Sequence, residues 1–486
     1  MHLFVEYARQ FARFQRNARL YLISNALSGV TAGILLVLYN LYLASLGYGA
    51  DFIGTILFVG TLGAGLAIFP AGICVDRFSG KAILIWSSVL IGLAGAGQIL
   101  FRQPLPLLVS GFVVGVGVAF ILVVNAPFLT LNSTPQERPH LFSMNIALSL
   151  ITLVIGEILG GALPIWFRAI PWLMAPLPSW ASLALASQPG PRAYQIALLF
   201  AGVIAAPSFI PLLLMSNTKP RRREADVSQE GRTQDVSTRA NRASLRVLLR
   251  SLTRAQLKKV LVSPFFLLVM VQVFIGLGAG LFIPYFNLFF VKHLGASSAL
   301  FGLIDGGANT ITALLTLAAP WLATRIGKVN TMVWTRLISI PLMITIGLTG
   351  FLPLAATLYL FRQGMMDMSQ GILQVFSMEA VPEQRRGLAN SSYQASFQAS
   401  EAVTTPIGGL MIVHLGYSSV FLLAAAFYLP AIGILWGKFG RGREKRDDAE
   451  GLYRRGDGPE ALTNLPGRSP LPIQDDKWRT QAIEEY

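Results

Sequence analysis

Long apolar segments alternate with short polar ones along almost the whole chain. Segments of about 20 apolar residues are long enough for an α-helix to cross the hydrocarbon core of a membrane. They lack the period-two alternation of barrel strands, so a membrane β-barrel is not predicted. The pattern predicts an all-α membrane protein with twelve spanning helices, over residues 20–46, 52–74, 82–101, 105–131, 141–166, 194–215, 264–291, 299–323, 330–350, 353–378, 387–413 and 417–438.

Polar stretches divide these helices into two groups of six, residues 20–218 and 263–438. Residues 1–19 are interpreted as a retained cytoplasmic segment, because no small-residue cleavage site follows the basic positions. Residues 219–262 are rich in arginine, with leucines interspersed, which favours either a basic amphipathic helix on an anionic membrane surface or a solvated linker. The mixed charges, Pro and Gly of residues 439–486 are typical of a disordered tail.

Composition agrees with a membrane protein. Charged residues make up 13% of the 486 residues, hydrophobic residues make up 53%, and the mean hydropathy is +0.57. Cys74 is the only cysteine, which excludes an intramolecular disulfide and a cysteine-rich metal site. The four histidines lie at or beyond the ends of predicted helices, so no metal site is predicted.

The net charge of +15 reports the orientation of the chain. With the N-terminus placed inside, 33 Lys and Arg fall in the inside segments and 4 in the outside loops. Basic residues concentrate on the cytoplasmic side of membrane proteins, so both termini are predicted to be cytoplasmic, in a multi-pass protein of the plasma membrane. Topology accounts for the charge, and nucleic acid is not expected as a partner.

The two groups of helices repeat each other at an offset of about 247 residues. Four pairs of segments correspond at or close to this offset: 40–42 with 287–289, 135–138 with 382–385, 160–161 with 408–409, and 76–81 with the shortened 324–328. Each repeat has an even number of helices, so the copies share one orientation and are related about the membrane normal. Two similar helix bundles that enclose a site between them form a transporter architecture.

A sequence motif between the second and third predicted helices resembles that of a known protein family. Residues 72–81 contain Gly72, Asp76, Arg77, Gly80 and Lys81. This spacing of glycine, aspartate-arginine, and glycine with a basic residue resembles the signature of the major facilitator superfamily. Together with the 6+6 repeat, the resemblance implies two six-helix bundles that work by alternating access. It covers roughly residues 20–438.

The resemblance also implies that this loop is a conformational latch. Asp76 would cap a helix N-terminus of the facing bundle, where a carboxylate is stabilised by about 0.3–1 kcal/mol. Arg77 and Lys81 would pair with acids such as Glu137 while the cytoplasmic side is closed. Otherwise these residues simply mark a short cytoplasmic loop. The second copy retains Arg325 and Lys328 but has Thr324 in place of the aspartate.

The fifth predicted helix carries a further family feature. Antiporters of the superfamily have glycine-proline, two residues and glycine-glycine there, and Glu157 replaces the proline in this chain. The departure weakens an inference of antiport from this element. Gly156 and Gly160 are spaced so that helices can approach closely, and we expect them to form a packing seam.

Ionisable residues inside membrane helices are functional candidates, because burying each costs roughly 2.5–3.5 kcal/mol near the midplane. The candidates here are Glu157, Asp305, Arg362, Asp367 and Glu401. Asp367 lies near the middle of its helix and could carry a proton. Arg362 is expected to pair with Asp305 or Glu401, or to receive an anionic substrate. The alternative for each is a fixed salt bridge or polar packing. Arg336 is expected to face lipid and reach the membrane surface.

Uncharged polar side chains in the helices are candidates for hydrogen bonds to a substrate. They are Asn40, Asn125, Tyr285, Asn287 and Asn309. Asn40 and Asn287 occupy repeat-related positions, which favours either a pseudo-symmetric site or shared helix packing.

These features predict a secondary transporter of a small organic solute, without a cofactor. Neither Gly80-Lys81 nor Gly327-Lys328 completes a phosphate-binding loop. The sequence shows no cluster of catalytic residue types, so an enzyme is not predicted. Partial resemblance to drug exporters favours proton-coupled efflux. Proton-coupled uptake of a sugar or an organic anion is the alternative. A non-transporting sensor or lipid-handling protein is an alternative from another class.

Overall fold

The regular structure of this chain is helical throughout the part that the computed structural model describes. That part comprises residues 11, 14–134, 136–178, 181–217, 262–381 and 386–440. The predicted amphipathic linker and the predicted disordered tail therefore lie almost wholly outside the described residues. So do most of the N-terminal segment and the repeat segment 382–385.

The N-terminal half contains six long helices. They are α1 (Arg16–Ser45), α2 (Ala50–Arg77), α3 (Gly80–Leu100), α4 (Pro104–Leu131), α5 (Arg138–Arg168) and α6 (Pro189–Leu214). Pro70, Pro127 and Pro164 lie inside these helices, where each removes one backbone hydrogen bond. A 3₁₀ turn, Ala206–Ser208, interrupts α6 at a proline.

The C-terminal half contains the other six. They are α7 (Pro264–His293), α8 (Ser298–Ile326), α9 (Lys328–Leu348), α10 (Leu352–Glu379), α11 (Arg386–Leu415) and α12 (Tyr417–Gly440). The helix α7 is irregular: Pro284 has no N–H, and a 3₁₀ turn, Ile283–Tyr285, followed by a π turn, Phe289–His293, replaces regular helix there.

All twelve predicted helices are confirmed, with ends that differ by no more than five residues. In the described ranges, ten of them are long and apolar enough to cross a membrane on these grounds alone. The other two, α10 and α11, carry more polar side chains. Polar side chains of these two helices line the candidate site.

The helices pack in the same way in both halves. In the first, α1 packs on α5 and α6, and α4 packs on α2 and α3. In the second, α7 packs on α11 and α12, and α10 packs on α8 and α9. The halves meet chiefly through α2 with α11 and α5 with α8. The predicted repeat therefore corresponds to a repeated packing pattern of two six-helix bundles.

The predicted glycine seam in α5 is confirmed. A Cβ on Gly156 would lie less than 3.0 Å from the carbonyl oxygen of Val30, and one on Gly160 equally close to the Cα of Ile34. Both contacts are with α1 of the same half. Only glycine permits this approach of two helix backbones.

The second glycine of each repeated Gly-Gly pair packs on the opposite half. A Cβ on Gly161 would lie less than 3.0 Å from the carbonyl oxygen of Ser298 at the start of α8, and one on Gly409 equally close to that of Ala50 at the start of α2. One repeated dipeptide thus makes one contact within its half and one between the halves.

These contacts between the halves all lie far from the ends where the chain enters α1 and leaves α12. The start of α2 and the start of α8 are at that opposite end, and Gly161 and Gly409 meet them there. Further along α2, added Cβ atoms on Gly65 and Gly72 would meet open space. The halves are therefore in contact at the end opposite the termini, and α2 is free of close neighbours at these two positions nearer the termini.

The segment between α5 and α6 is held by one buried arginine. Arg192 is 1% exposed and donates hydrogen bonds to the carbonyl oxygens of Ala186 (2.8 Å), Leu173 (3.1 Å) and Ala175 (2.6 Å), and to that of Ser187. A guanidinium group donates in several directions from one plane, which suits a set of converging backbone carbonyls.

We expect Arg192→Ala to release this segment and to cost about 3 kcal/mol or more of stability, because several buried carbonyls lose their donor. The measurement is thermal unfolding of the protein in detergent, with limited proteolysis between α5 and α6. Arg168→Ala is the control, since Arg168 is exposed and lies over the ring of Tyr194 at the same end. Equal stability of the two variants would contradict this role.

Candidate functional site

A cavity of about 660 Å³ lies between the two halves, and we call it the central cavity. Its apolar wall includes Leu35, Leu36, Leu57, Phe286 and Phe301. Its polar wall includes Asn40, Asn287, Asp305, Asn309, Tyr359, Gln363, Gln398 and Glu401. The structure thus brings together five residues that the sequence nominated: Asn40, Asn287, Asp305, Asn309 and Glu401.

The charge of the central cavity has one sign. Asp305 and Glu401 line it, and no Lys or Arg occurs among its described lining residues. Neither carboxylate forms an ion pair with a basic side chain in the described part of the chain. An ionised carboxylate in a poorly hydrated place costs free energy unless a proton or a cation compensates it. The wall of the central cavity is therefore acidic.

Glu157 lies behind the cavity wall, at the contact between α5 and α8. Its side chain is 0% exposed, and both carboxylate oxygens accept hydrogen bonds from Nδ2 of Asn309, at 2.8 and 3.0 Å. This contact joins a carboxylate of one half to an amide of the other. Glu157 is therefore part of the junction of the two halves.

Asp305 lies one helical turn from Asn309 on the same face of α8. It is 8% exposed, and its Oδ1 accepts a 2.7 Å hydrogen bond from the hydroxyl of Tyr359 on α10. Asp305 borders the cavity directly, whereas Glu157 is reached through Asn309. The group forms a connected polar cluster from α5 through α8 to α10.

Asn40 and Asn287 form a reciprocal clamp between α1 and α7. Nδ2 of Asn40 donates to the carbonyl oxygen of Pro284 at 2.7 Å, and Nδ2 of Asn287 donates to that of Val37 at 3.2 Å. The two side chains also approach each other, with Asn40 Nδ2 3.5 Å from Asn287 Oδ1. Each amide thus binds the backbone of the opposite half, so the pair both seals the cavity and packs helices.

Tyr285 does not line the central cavity. Its hydroxyl donates a 2.5 Å hydrogen bond to the carbonyl oxygen of Thr405, which ties α7 to α11. A Cβ atom added to Gly54 or to Gly409 would lie less than 3.0 Å from this hydroxyl oxygen. Tyr285 therefore supports the contact between the halves and does not face a solute.

Arg362 is held inside the C-terminal half and does not line the central cavity. It is 1% exposed, and its guanidinium lies 4.7 Å from the ring centroid of Phe282. It donates a 3.0 Å hydrogen bond to Oε1 of the adjacent Gln363 and lies 3.5 Å from the hydroxyl of Tyr428. The expected pairing with Asp305 or Glu401 is not formed in the described residues. The direct contacts of the guanidinium are with an aromatic ring and with neutral acceptors.

Arg336 is buried in the protein, so the prediction that it faces lipid is wrong. The side chain is 2% exposed, and its Nη2 donates a 2.9 Å hydrogen bond to Oε1 of Gln370 on α10. Its Nε and Nη1 atoms are buried without a partner in the described part of the protein. The helix α9 packs on α10 and α12, so this face of α9 is covered by protein.

Asp367 and Asn125 lie outside the central cavity. Asp367 borders a second cavity, within the C-terminal half, and its Oδ2 accepts a 2.8 Å hydrogen bond from Nε2 of Gln363. Gln363 in turn lines the central cavity, so its amide stands at the boundary of the two. Asn125 on α4 has a buried Oδ1 that lacks a partner among the described groups.

The residues of the predicted latch lie at the ends of helices nearest the termini. Gly80 starts α3, Nζ of Lys81 donates to the carbonyl oxygens of Leu213 and Met215 in its own half, and Lys328 pairs with Glu379 in the other half. Arg77 is exposed and Gly72 is half-buried. The guanidinium of Arg325 lies over the ring of Trp321. The side chain of Asp76 is outside the described set. The bonds described here stay within each half.

Sequence reasoning missed the amides of α10 and α11. Gln363, Gln370 and Gln374 recur with Asp367 at spacings of three and four residues on α10. On α11, Asn390, Gln394 and Gln398 recur every four residues. Such spacing places polar groups on one helix face, and in a membrane helix that pattern indicates a wall of a polar cavity.

Comparison with known proteins agrees with this geometry. A family model described as Major Facilitator Superfamily matches residues 21–382 and 268–473. Among solved structures, a bacterial homologue of the human lysosomal transporter Spinster, inward-facing and occupied, is similar with a TM-score of 0.65 at 12% identity, over 86% of this chain and 95% of that one.

Two further structures are similar to the chain. A bacterial homologue of the iron transporter ferroportin, in an inward-facing state, has a TM-score of 0.62 at 16% identity, over 86% of this chain and 98% of that one. A D-xylose-proton symporter has a TM-score of 0.60 at 15% identity, over 86% of this chain and 96% of that one. At these identities the likeness concerns the fold.

Proposed function

Because this chain belongs to the major facilitator superfamily, we propose that it is a proton-coupled exporter of small amphiphilic organic molecules, neutral or cationic. The observation that carries the proposal is the central cavity, whose lining combines apolar side chains with two carboxylates and no described basic residue. Membership of the family makes it a multi-pass transporter. The charge and polarity of the cavity lining support a narrower class of solute.

The conformation supports alternating access between two sides of a membrane. The clamp of Asn40 and Asn287 and the contacts of Gly161 and Gly409 close the end opposite the termini. The excess of basic residues near the termini supports a cytoplasmic location for the other end. With that orientation the cavity faces the cytoplasm, ready to take up a solute for export.

The lining favours cationic or neutral solutes over organic anions. Asp305 and Glu401 would repel an anion, and Arg362, the expected anion ligand, is enclosed among aromatic rings instead of facing the cavity. Leu35, Leu36 and other apolar residues supply contact area for the hydrophobic part of the solute. The alternative of organic-anion uptake therefore loses support, because Arg362, the group predicted to bind the anion, does not line the cavity.

Coupling would follow from competition for the same carboxylates. A proton that enters from outside neutralises Asp305. From the cytoplasm, a cationic solute replaces that proton as the compensating charge, and a neutral solute replaces it as a hydrogen-bond donor to the ionised carboxylate. Because the carboxylate is stabilised in each case, the change between the two conformations is favoured with either the proton or the solute bound. Glu157 would transmit the change to the junction of the halves through Asn309.

The test is transport in proteoliposomes with imposed pH gradients of both signs, with the membrane potential clamped. The probes are ethidium (permanently cationic), dansylamide (neutral) and anilinonaphthalenesulfonate (anionic). We expect ethidium or dansylamide to accumulate against an opposed proton flow, and the anion to stay at equilibrium.

Three outcomes would overturn the proposal. Accumulation only when proton and solute move together would indicate cotransport and hence uptake. Transport of the anion alone would restore the organic-anion alternative. A protein that moves none of the probes under either gradient would favour a sugar transporter or a non-transporting scaffold.

A further inference from the structure

An apolar groove of about 430 Å³ lies between α3 and α4, and we call it the lateral groove. Small residues form its floor: a Cβ added to Gly97 would lie less than 3.0 Å from Oγ of Ser110. Leu93 and Val109 line it and are exposed. Apart from Ser110, its described lining residues carry no polar side chain. Such a surface between two membrane helices fits a hydrocarbon chain.

The lateral groove has the length of one leaflet of a membrane. Its lining extends along α3 from Leu90 to Phe101, just past Leu100, where the helix ends. Ten helical residues rise about 15 Å, which is half of a hydrocarbon core of about 30 Å. Beyond this length the two helices approach closely, because a Cβ on Gly117 of α4 would lie less than 3.0 Å from the side chain of Ile91. An acyl chain from one leaflet matches these dimensions. A helix of a second copy, with a diameter of about 10 Å, would occupy about 1,200 Å³ over the same length, more than the groove holds.

A basic residue follows the groove at the end of α3. Arg102 comes directly after Phe101, and its Nη2 donates a 3.1 Å hydrogen bond to the carbonyl oxygen of Ser182. This bond holds the guanidinium at the end of the membrane helices opposite the termini. A guanidinium has five N–H donors and binds phosphate oxygens as well as carbonyl oxygens. The apolar groove therefore ends, at the depth of lipid headgroups, beside a cation that suits a phosphate.

The second repeat lacks both of these features at the corresponding positions. At the offset of 247 residues, Ile344 of α9 takes the place of Gly97, and Thr349 takes the place of Arg102. An isoleucine fills space that a glycine leaves open, and a threonine carries no charge. The packing pattern that the two halves share therefore requires neither the open floor nor the cation. Their joint presence in the N-terminal half indicates a ligand that uses both.

We propose that the lateral groove binds one phospholipid, with an acyl chain along α3 and α4 and the phosphate at Arg102. In the predicted orientation this lipid belongs to the outer leaflet. The lateral groove and the central cavity share no lining residue, so the lipid is separate from the transported solute. The groove encloses the hydrocarbon and the guanidinium compensates the charge of the phosphate, which distinguishes this lipid from its neighbours in the bilayer.

The experiment titrates the delipidated full-length protein in detergent with lipid and counts bound molecules by native mass spectrometry. The probes are phosphatidylglycerol and diacylglycerol with the same chains, which differ in the phosphate headgroup. We expect the first phosphatidylglycerol to bind more tightly than diacylglycerol. Arg102→Gln should weaken its binding about fivefold, because one basic side chain near a lipid headgroup contributes on this scale, and Arg102→Lys should retain most of the affinity. Ala94→Phe, which places a ring in the groove, should weaken binding about tenfold or more.

Ala126→Phe is the matched control. It is the same change at an exposed position of α4 outside the groove, and it should leave the binding of phosphatidylglycerol unchanged. Thermal unfolding without lipid checks that Ala94→Phe is folded, and Arg102→Gln carries the test if it is not. Equal binding of diacylglycerol, full affinity in Arg102→Gln, an equal loss in Ala126→Phe, or a dimer that Ala94→Phe dissociates would overturn the proposal. Failure of proton-coupled export would leave it standing, since no solute or gradient enters this measurement.

Discussion

Asp305→Asn is expected to abolish accumulation driven by a pH gradient. A gradient of one pH unit, exchanged for one solute, supports about a tenfold concentration ratio. Without a carboxyl group that alternately holds a proton and a solute, that ratio should fall to about one. Exchange of labelled for unlabelled ethidium at equal pH should persist. The hydroxyl of Tyr359 keeps an acceptor in the asparagine oxygen, so the local fold should be preserved. The measurement is the accumulation ratio in proteoliposomes.

Two further variants make this result specific. Glu379→Gln also replaces a carboxylate by an amide, but Glu379 is exposed and paired with Lys328 far from the cavity, so coupling should be unchanged. Asp367→Asn tests the carboxylate that the sequence favoured as proton carrier. Full coupling in Asp305→Asn together with its loss in Asp367→Asn would place the coupling site at the second cavity, within the C-terminal half.

Gly409→Val is expected to prevent closure of the end opposite the termini. A Cβ there would lie less than 3.0 Å from the carbonyl oxygen of Ala50 and from the hydroxyl of Tyr285. Overpacking of this kind costs about 1–3 kcal/mol, which shifts an equilibrium by roughly 5- to 150-fold. The clash with Tyr285 lies within one half and is present in both states, whereas the clash with Ala50 exists only while α2 and α11 touch. The opposite state should therefore be favoured, and transport should fall with it.

Spin-label distances report this shift. One pair, at Gln103 and Gly350, spans the halves at the end opposite the termini; the other, at Phe78 and Arg325, spans them near the termini. All four positions are exposed, and Cys74→Ser removes the natural thiol. We expect the first distance to lengthen and the second to shorten. Gly65→Val on α2 is the control, because its Cβ meets open space. Unchanged distances in Gly409→Val would contradict the assigned contact.

Hydropathy and internal repetition predicted much of the fold. Each apolar segment had the length of a membrane helix, and the repeat implied that the two groups would pack alike. The Gly156 and Gly160 seam followed from spacing alone, because close helix packing requires small residues at such intervals. These features depend on local sequence, which is why they could be read without knowledge of tertiary contacts.

The candidate site was less predictable. Arg336 was expected at the lipid surface, because the sequence does not say which side of α9 the neighbouring helices cover. Arg362 was expected to pair with Asp305 or Glu401, but its guanidinium lies over the rings of Phe282 and Phe286. The polar spacing on α10 and α11 shows that their amides share a face. It does not show that Gln398 and Gln394 border different cavities.

The polarity of α10 and α11 also bears on how the protein is made. Of the twelve long helices in the described residues, these two alone lack the hydropathy that would identify them as membrane spans. The insertion machinery selects helices largely by their apolarity, so neither is expected to enter the bilayer efficiently by itself. The helices α7, α8 and α9 precede them in synthesis and pack against them in the finished protein. Assembly of the polar walls of both cavities therefore depends on partners that are already in the membrane, and shortening the chain before α10 would leave those partners with an uncovered face.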